Sequence, residues 1–251
     1  WDSISINWDD FDAVIIRSTW DYQLKEKLFF KTLRSIEASS ATLYNSLDIV
    51  KWNINKRYLL ELERENISII PTRFYDSFDF DIINQLFSFF NENKLVIKPC
   101  VSANADDTFI LEQSKMENLK SVLEGTFSRK DFLVQPFIKS IKSEGEFSLI
   151  YFGNRLSHVL LKTPKNGDFR VQEEHGGILK AINKPKSSLI DFGNKVMGTI
   201  PHQCLYSRVD VVRGRDNYLL MEVELIEPSL YFNMDSKSPQ MFAEVFNKWH
   251  G

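Results

Sequence analysis

Arg208-Val-Asp-Val-Val-Arg-Gly-Arg-Asp-Asn-Tyr218-Leu-Leu-Met-Glu-Val-Glu224 reads as two β-strands joined by a turn over Gly214 to Asn217. The runs 205–212 and 218–223 are rich in Val, Leu and Tyr, the residues of strands. Residues two apart on a strand share a face, so Glu222 and Glu224 point the same way. Pairing through the turn brings Asp210 close to them. Three carboxylates on one sheet face repel each other unless a cation sits among them. Hard oxygen donors suit Mg²⁺, with Mn²⁺ as a second choice. The plain alternative is a pair of solvent-facing strands with unrelated charges.

Upstream of this pair, 146–152 and 156–162 form two further β-rich runs joined by Gly153-Asn154, a hairpin signal. Residues 163–182 read as a long polar connection, 187–197 as a helix and 239–249 as a last helix. Near the start, Ala13 to Ile16, a helical period over 25–38 and Ala41 to Tyr44 make a β-α-β pattern with a parallel sheet. Asn53 is positioned to cap a helix running through Leu62 to about Asn66. Then follow an extended stretch 67–70, a helix 79–91, a strand 94–98, a polar loop 101–107, a strand 108–111, a helix 114–124 and a strand 132–135. The chain opens on Trp1 and enters almost at once into a strand, so a strand and a helix of the first domain are expected to precede it.

The 251 residues suffice for one large domain or two small ones. Hydrophobic residues make up 43% and charged ones 26%, the balance of an ordinary globular protein. The net charge of −3 gives no basic excess to suggest a nucleic-acid partner, and none is expected. Two cysteines, Cys100 and Cys204, are too few for a disulfide framework and lack zinc spacing, which points to a reducing cytoplasm. No apolar run is long enough for a membrane span, so no membrane association is expected. Self-association into a homo-oligomer is left open.

Other residues carry chemistry beside the acids. Lys98 closes the apolar strand Leu95-Val-Ile-Lys-Pro99, where an ammonium can meet a phosphate, and Lys56 is a second such lysine. Phosphoryl transfer needs cations to spread charge on the moving oxygens. Phe132-Leu-Val-Gln-Pro-Phe-Ile138 runs from a strand into a Pro-containing linker whose free backbone groups could read an adenine edge, and Glu146 could take ribose hydroxyls. Arg170 offers a planar fork for phosphate or carboxylate, followed by His175-Gly-Gly. Each of these has a plain alternative: a solvated lysine, an ordinary strand and turn, an exposed loop arginine, a polar loop histidine.

In order, these motifs resemble the ATP-grasp superfamily over nearly the whole chain. The fit includes Asn45, Trp52-Asn-Ile-Asn-Lys56, Ile70-Pro-Thr72, Val96-Ile-Lys98-Pro, Val134-Gln-Pro-Phe-Ile138 and Gly145-Glu-Phe-Ser148. It closes with Asp168-Phe-Arg170, Arg208-Val-Asp210 and Glu222-Val-Glu224. Ile16-Arg-Ser-Thr-Trp-Asp-Tyr22 and Glu224-Leu-Ile-Glu-Pro-Ser-Leu230 narrow the match to a branch that resembles O-ureido-D-serine cyclo-ligase, and that branch in turn looks like bacterial glutathione synthetase and ribosomal-protein glutamate ligases.

The resemblance implies an α/β chain with an ATP-grasp fold in three parts: a truncated Rossmann-like domain over 1–50, a small ATP-grasp subdomain over 51–137 and a larger one over 138–251. ATP would lie between the last two. It implies that Lys56 and Lys98 contact ATP phosphates, Gln135, Pro136, Phe137 and Ile138 the adenine, and Glu146 the ribose, with Lys162 near the nucleotide. Asp210, Glu222 and Glu224 would bind Mg²⁺, while Arg170 and Arg208 would stabilise the acyl phosphate and the tetrahedral state after it. Arg17, Thr19 and Asp21 would contact a small amino-acid-like or peptide substrate. The implied reaction joins a carboxylate to an amine or similar nucleophile with release of ADP and phosphate. A kinase-like phosphotransferase and an ATP-binding module without catalysis are the alternatives.

Two departures stand out. The loop Pro99 to Thr108 lacks the glycines that usually cover the phosphates, so it is expected to close less freely. The third metal ligand, often Asn in the superfamily, is Glu224 here, which adds negative charge.

Overall fold

Alternating apolar residues in 146–163 and 206–224 build one antiparallel sheet, and the other elements pack around it. The computed structural model describes every residue of the chain except Ile4, Asn166, Gly167, Phe169, Gln172, Glu174 and His175. In chain order the elements begin with β1 (Ala13–Ile15), α1 (Glu26–Glu37), β2 (Thr42–Tyr44), α2 (Leu47–Asn53) and α3 (Tyr58–Arg64). There follow β3 (Arg73–Tyr75), α4 (Phe80–Phe90), β4 (Lys94–Pro99), β5 (Phe109–Glu112), α5 (Met116–Phe127) and β6 (Phe132–Pro136). The last part holds α6 (Ser140–Ser143), β7 (Glu146–Phe152), β8 (Arg155–Thr163), β9 (Ile178–Ala181), α7 (Ser187–Thr199), β10 (Tyr206–Arg213), β11 (Tyr218–Glu224) and α8 (Ser238–His250).

Among the described residues, three sheets result. β1 and β2 pair in parallel, as the β-α-β pattern requires. An antiparallel sheet in the order β3-β6-β4-β5 is backed by a phenylalanine-rich core that includes Phe80, Phe87, Phe127 and Phe132. The larger antiparallel sheet runs β11-β10-β7-β8-β9, with β7 buried along its whole length. Gly153, at φ +58°, makes the tight turn from β7 to β8, a conformation that costs glycine nothing.

One face of the larger sheet is apolar apart from Ser207, whose hydroxyl donates to Met197 Sδ. Phe147, Leu149, Tyr151, Val209, Val211 and Leu220 pack there against α2, α3 and α7. Ile49, Tyr58, Leu59, Leu62, Ile67 and Ile69 thus share a core with this sheet, not with the smaller one. The opposite face is divided along its length. Ile150, Phe152, Leu160 and Tyr206 pack against α8 at one end, and charged side chains occupy the other.

Four local features differ from the sequence reading, each for a tertiary reason. Asn53 does not cap a helix; it ends α2, and its amide clamps the outer edge of the sheet. Its Nδ2 donates to Val223 O at 2.8 Å, and its Oδ1 accepts from Leu225 N at 2.9 Å. The Tyr58 hydroxyl donates to Val223 O and accepts from Val223 N, and the extended chain at Ser68 to Ile70 bonds to Leu220. An edge that would otherwise expose its backbone groups is covered. Pro71 does not prevent pairing two residues later, where β3 adds to β6. The polar connection 163–182 contains β9, an edge strand of β8 with exposed Ile178. Finally, the register of β10 and β11 slips by one residue after the pair Asp210 and Glu222, leaving Met221 as the extra residue. The bulge turns Leu220 into the core while Glu222 and Glu224 stay on the cleft side.

Candidate functional site

The register puts all the acids of the quoted strands on one face. Across β10 and β11, Asp210 lies opposite Glu222 and Arg208 opposite Glu224. Across β7, Ser148 faces Asp210, and Glu146 faces Lys162 of β8. Gly145 makes this last approach possible. At φ +113°, a Cβ on it would lie 2.6 Å from the Lys162 carbonyl.

These groups are tied into one network. Lys162 Nζ reaches both Glu146 Oε1 and, at 3.3 Å, Asp210 Oδ1. Arg208 Nε donates to the two Asp210 oxygens at 3.1 and 3.0 Å, and its Nη2 pairs with Glu224 Oε1. The Ser148 hydroxyl donates to Asp210 as well. Such a buried array is tolerated because each charge has a partner.

The smaller sheet and its loop form the facing wall of the cleft, together with Lys56 from the turn between α2 and α3. Lys56 Nζ pairs with Glu222 Oε1 at 3.1 Å and donates to Ser102 O at 3.0 Å and Ser102 Oγ at 3.2 Å. Lys98, on β4, lines the same cleft half-buried, and no ion-pair or hydrogen-bond partner is found for it among the described residues. The loop that follows has Asn104, Ala105 and Asp107 at φ +51°, +59° and +51°, left-handed values that glycine adopts most easily.

The cleft gathers Lys56, Lys98, Gln135, Pro136, Phe137, Ile138, Glu146, Lys162, Arg170, Arg208, Asp210, Glu222 and Glu224. Within the linker, Phe137 N–H is used by Lys94 O at 3.0 Å and the Gln135 amide donates to Thr72 Oγ1 at 2.8 Å. Among the described residues, Ile138 N–H has no acceptor. Arg170 turns its fork onto Asp168, at 3.2 Å from Nε and 2.9 Å from Nη2. Gly167 and His175 of that stretch lie outside the described residues.

Arg17, Thr19 and Asp21 are not brought to the wall of the cleft. Arg17 Nη2 holds Pro228 O at 2.6 Å, with the guanidinium over the Tyr206 ring. Thr19 is buried, and Asp21 is bound by Trp1 Nε1 and Lys25. Their neighbours Trp20 and Tyr22 line the cleft instead, as do Ser102, Glu227 and Tyr231. A loop has no period, so the sequence could not tell which residues of 16–22 face the cleft. Glu227 lies beyond the strand whose alternation marked Glu222 and Glu224.

The charges tune one another. Burial alone would raise Asp210, but the Arg208 guanidinium and the Lys162 ammonium outweigh it and hold the carboxyl down to about 2. Burial also opposes ionisation of Glu222, yet Lys56 and Lys98 bring it below its ordinary value. At Glu224 burial prevails over Arg208, and the group is pushed up to about 7. Burial raises Glu146 too, against the pull of Lys162. Lys98 is lowered, by burial first; Glu222 pulls it back up and the nearby Lys56 lowers it further.

Lys162, Arg208 and Lys56 pair with Asp210, Glu222 and Glu224 from different directions. Among the described residues, no group of three or more His, Cys, Asp or Glu side chains is arranged to hold a metal ion. The donor chemistry still fits a hard divalent cation: three carboxylates on the cleft side of one sheet, with no thiol or imidazole among them.

Comparison with known proteins gives the same architecture. The family model described as RimK-like ATP-grasp domain matches residues 62–237, and one described as the N-terminal domain of D-cycloserine synthetase DcsG matches residues 1–45. The cycloserine biosynthesis protein DcsG of Streptomyces lavendulae is 24% identical over 263 residues, spanning 98% of this chain and 85% of that protein. The crystal structure of D-cycloserine synthetase DcsG superposes with a TM-score of 0.89 at 21% identity, over 100% of this chain and 88% of the other. D-alanine–D-alanine ligase from Bacillus anthracis gives a TM-score of 0.65 at 15% identity, over 94% of this chain and 77% of the other.

Proposed function

The chain belongs to the RimK-like ATP-grasp family, and on that footing we propose that it is an ATP-dependent ligase that activates a carboxylate as an acyl phosphate and passes it to an amine or related nucleophile. The observation that carries this reading is the meeting of Lys56 and Lys98 with Asp210, Glu222 and Glu224 in one cleft, with Lys56 and Glu222 3.1 Å apart. The nucleotide is taken to lie between the later two parts of a division into 1–50, 51–137 and 138–251. Because Ile49, Tyr58, Leu59, Leu62, Ile67 and Ile69 pack on the larger sheet, we place the working boundary between those two parts near Pro71.

Lys98 offers the phosphates an ammonium with no ion-pair partner among the described residues, and Lys56 joins the phosphate loop to the acids through Ser102. Gln135 to Ile138 supply the adenine wall, where Ile138 N–H has no acceptor among the described residues, and Glu146 meets the ribose beside Lys162. Asp210, Glu222 and Glu224 would hold Mg²⁺, or Mn²⁺ in its place. The metal would supply positive charge against the transferring phosphoryl oxygens. Arg208, freed from Glu224, and Arg170, freed from Asp168, then stabilise the acyl phosphate and the tetrahedral state. The substrates are small acids and amines or peptides. Two buried free thiols suit a reducing cytoplasm, and among the described residues no helix is long and apolar enough to cross a membrane.

Phosphate release from ATP tests the reading, with amino acids and dipeptides supplied singly and in pairs. A ligase frees phosphate only when acid and nucleophile are both present. Phosphate retained on a product would make the protein a phosphotransferase, and ATP-dependent thermal stabilisation without ADP would make it a binding module. Glu222→Gln is expected to abolish Mg²⁺-dependent turnover with the fold kept; normal turnover in that variant would remove Glu222 from the metal site.

A further inference from the structure

Gln135 lines the cleft from the smaller sheet and is 3% exposed. It lies opposite Val96 across β6 and β4, so it shares a sheet face with Val96 and Lys98. Its amide has a donor end and an acceptor end of nearly the same shape. Which end enters the cleft depends on what holds the other. Thr72, just ahead of β3, holds it. The Thr72 hydroxyl has one proton and gives it to Ile70 O at 2.6 Å. Its oxygen lies 2.8 Å from Gln135 Nε2 and can then only accept, so the amide nitrogen must face Thr72. Turning the amide over would set two oxygens against each other or take the proton away from Ile70 O. Ile70 is buried, and among the described residues its carbonyl has no other donor, so the turned form is costly. Ile70 is itself anchored, its N–H donating to Leu220 O at 3.1 Å.

The consequence is an oriented oxygen. Gln135 Oε1 is left as an acceptor, and among the described residues no donor reaches it. It is not sealed into the packing, so it opens on the cleft that its side chain lines. Three residues on, Ile138 N–H is a donor without an acceptor among the described residues. An acceptor and a donor on one stretch of wall complement the edge of adenine, which presents an amino donor at position 6 and a bare ring nitrogen at position 1. A 6-oxopurine such as guanine or hypoxanthine inverts both groups and would set its own oxygen against that of Gln135.

We propose that Thr72 determines base specificity: by fixing the Gln135 amide, it presents an acceptor that selects 6-aminopurine nucleotides over 6-oxopurine nucleotides. Gln135 makes the contact and Thr72 is a positioning residue, itself outside the lining of the cleft. This deepens the assignment of residues 135–138 to the adenine wall and rests on it. A site built to hydrogen-bond its ligand rejects one that leaves the site's groups unpaired, far more strongly than an apolar slot rejects a change of size. The selection is also rigid, because the chain from Gln135 through Thr72 to Ile70 ends on β11 of the larger sheet.

The test is calorimetric titration of the full chain, with Mg²⁺ present, against the 5′-diphosphates of adenosine, inosine and purine riboside. Inosine differs from adenosine only at the edge in question, and purine riboside keeps the ring nitrogen but lacks the 6-amino group. The wild type is expected to bind the adenosine probe at least about thirtyfold more tightly than the inosine probe and about tenfold more tightly than the purine riboside probe. Thr72→Val keeps the shape but frees the amide to turn, so the gap between adenosine and inosine should narrow at least about fivefold, with inosine bound more tightly. Thr72→Ser restores the hydroxyl and should keep the wild-type gap to within about twofold, a rescue that packing alone would not give. A gap unchanged in Thr72→Val, or lost equally in Thr72→Ser, overturns the proposal. If Thr72→Val fails to fold, the unaltered protein decides: purine riboside diphosphate bound as tightly as ADP overturns the proposal, and the expected loss supports it. ADP bound without discrimination overturns this proposal alone, whereas no binding of ADP overturns the nucleotide reading and the proposal with it.

Discussion

Along one face of the larger sheet, the same strands serve two purposes. Toward α8, Ile150, Phe152, Leu160 and Tyr206 form core. A few residues further along, Glu146, Ser148, Lys162, Arg208 and Asp210 are buried almost as fully, yet are polar or charged. Strand alternation fixes the face but not the chemistry; distance along the strand decides between packing and site. The apolar end is held by area removed from water, whereas the charged end holds only while every partner is in place. Arg208→Met would break the second and leave the first alone. It strands Asp210 and Glu224 without their shared cation and should cost about 3–5 kcal/mol in urea unfolding. A loss below about 1 kcal/mol, the level of exposed pairs, would mean that water screens the network.

A second contrast lies across the cleft. The acids of the larger sheet are paired with lysine or arginine, whereas among the described residues Lys98 of the smaller sheet has no ion-pair partner, although the charge of Glu222 acts on it. Lys98→Ala should therefore weaken ATP binding by roughly 1.5–3 kcal/mol, about 10- to 150-fold, read by titration with a non-hydrolysable analogue. Unchanged affinity would show that the lysine faces only water.

Most of this architecture is legible in the chain because its strands are short apolar runs with punctuation. Ala13 to Ile15, Leu95 to Ile97, Phe132 to Val134 and the hairpin at Gly153 declare themselves. β9 did not, since an edge strand carrying Lys180 and exposed Ile178 resembles the polar loop before it. Asn53 read as a helix cap because its use, clamping the edge of β11, depends on a segment 170 residues away. The charged candidates Lys98, Asp210, Glu222 and Glu224 were visible as ions inside or closing apolar strands. Their partners were not: that Lys56 takes Glu222 and Arg208 bridges Asp210 to Glu224 follows from sheet packing and register, and Glu227 sits where no periodicity applies.

Acid sharpens the first contrast, because only the charged end responds to it. Asp210 sits at about 2 in the fold against an ordinary 3.8, so the unfolded chain takes up the proton first as pH falls. Its contribution is complete above about 3.8 and is lost as pH drops toward 2, a span worth about 2 kcal/mol. Without added metal, Asp210→Asn should flatten the stability profile between about pH 2 and 4, and a slope unchanged from the wild type would assign the acid sensitivity to other groups.

The smallest effect concerns the loop that joins the two walls. Ala105 holds φ +59°, where its Cβ crowds the following carbonyl at a cost of roughly 1–2 kcal/mol. The turn is fixed by Asp106 N–H to Ala103 O at 2.9 Å and Thr108 N–H to Ala105 O at 3.1 Å, so the strain cannot relax without losing these bonds. Ala105→Gly relieves the crowding and loosens the unfolded chain, the second effect offsetting roughly 0.5–1 kcal/mol of the first. The net gain should be up to about 1 kcal/mol in chemical denaturation. The change adds no contact, so any gain is purely conformational. A destabilised variant would mean that the loop leaves the left-handed conformation in solution.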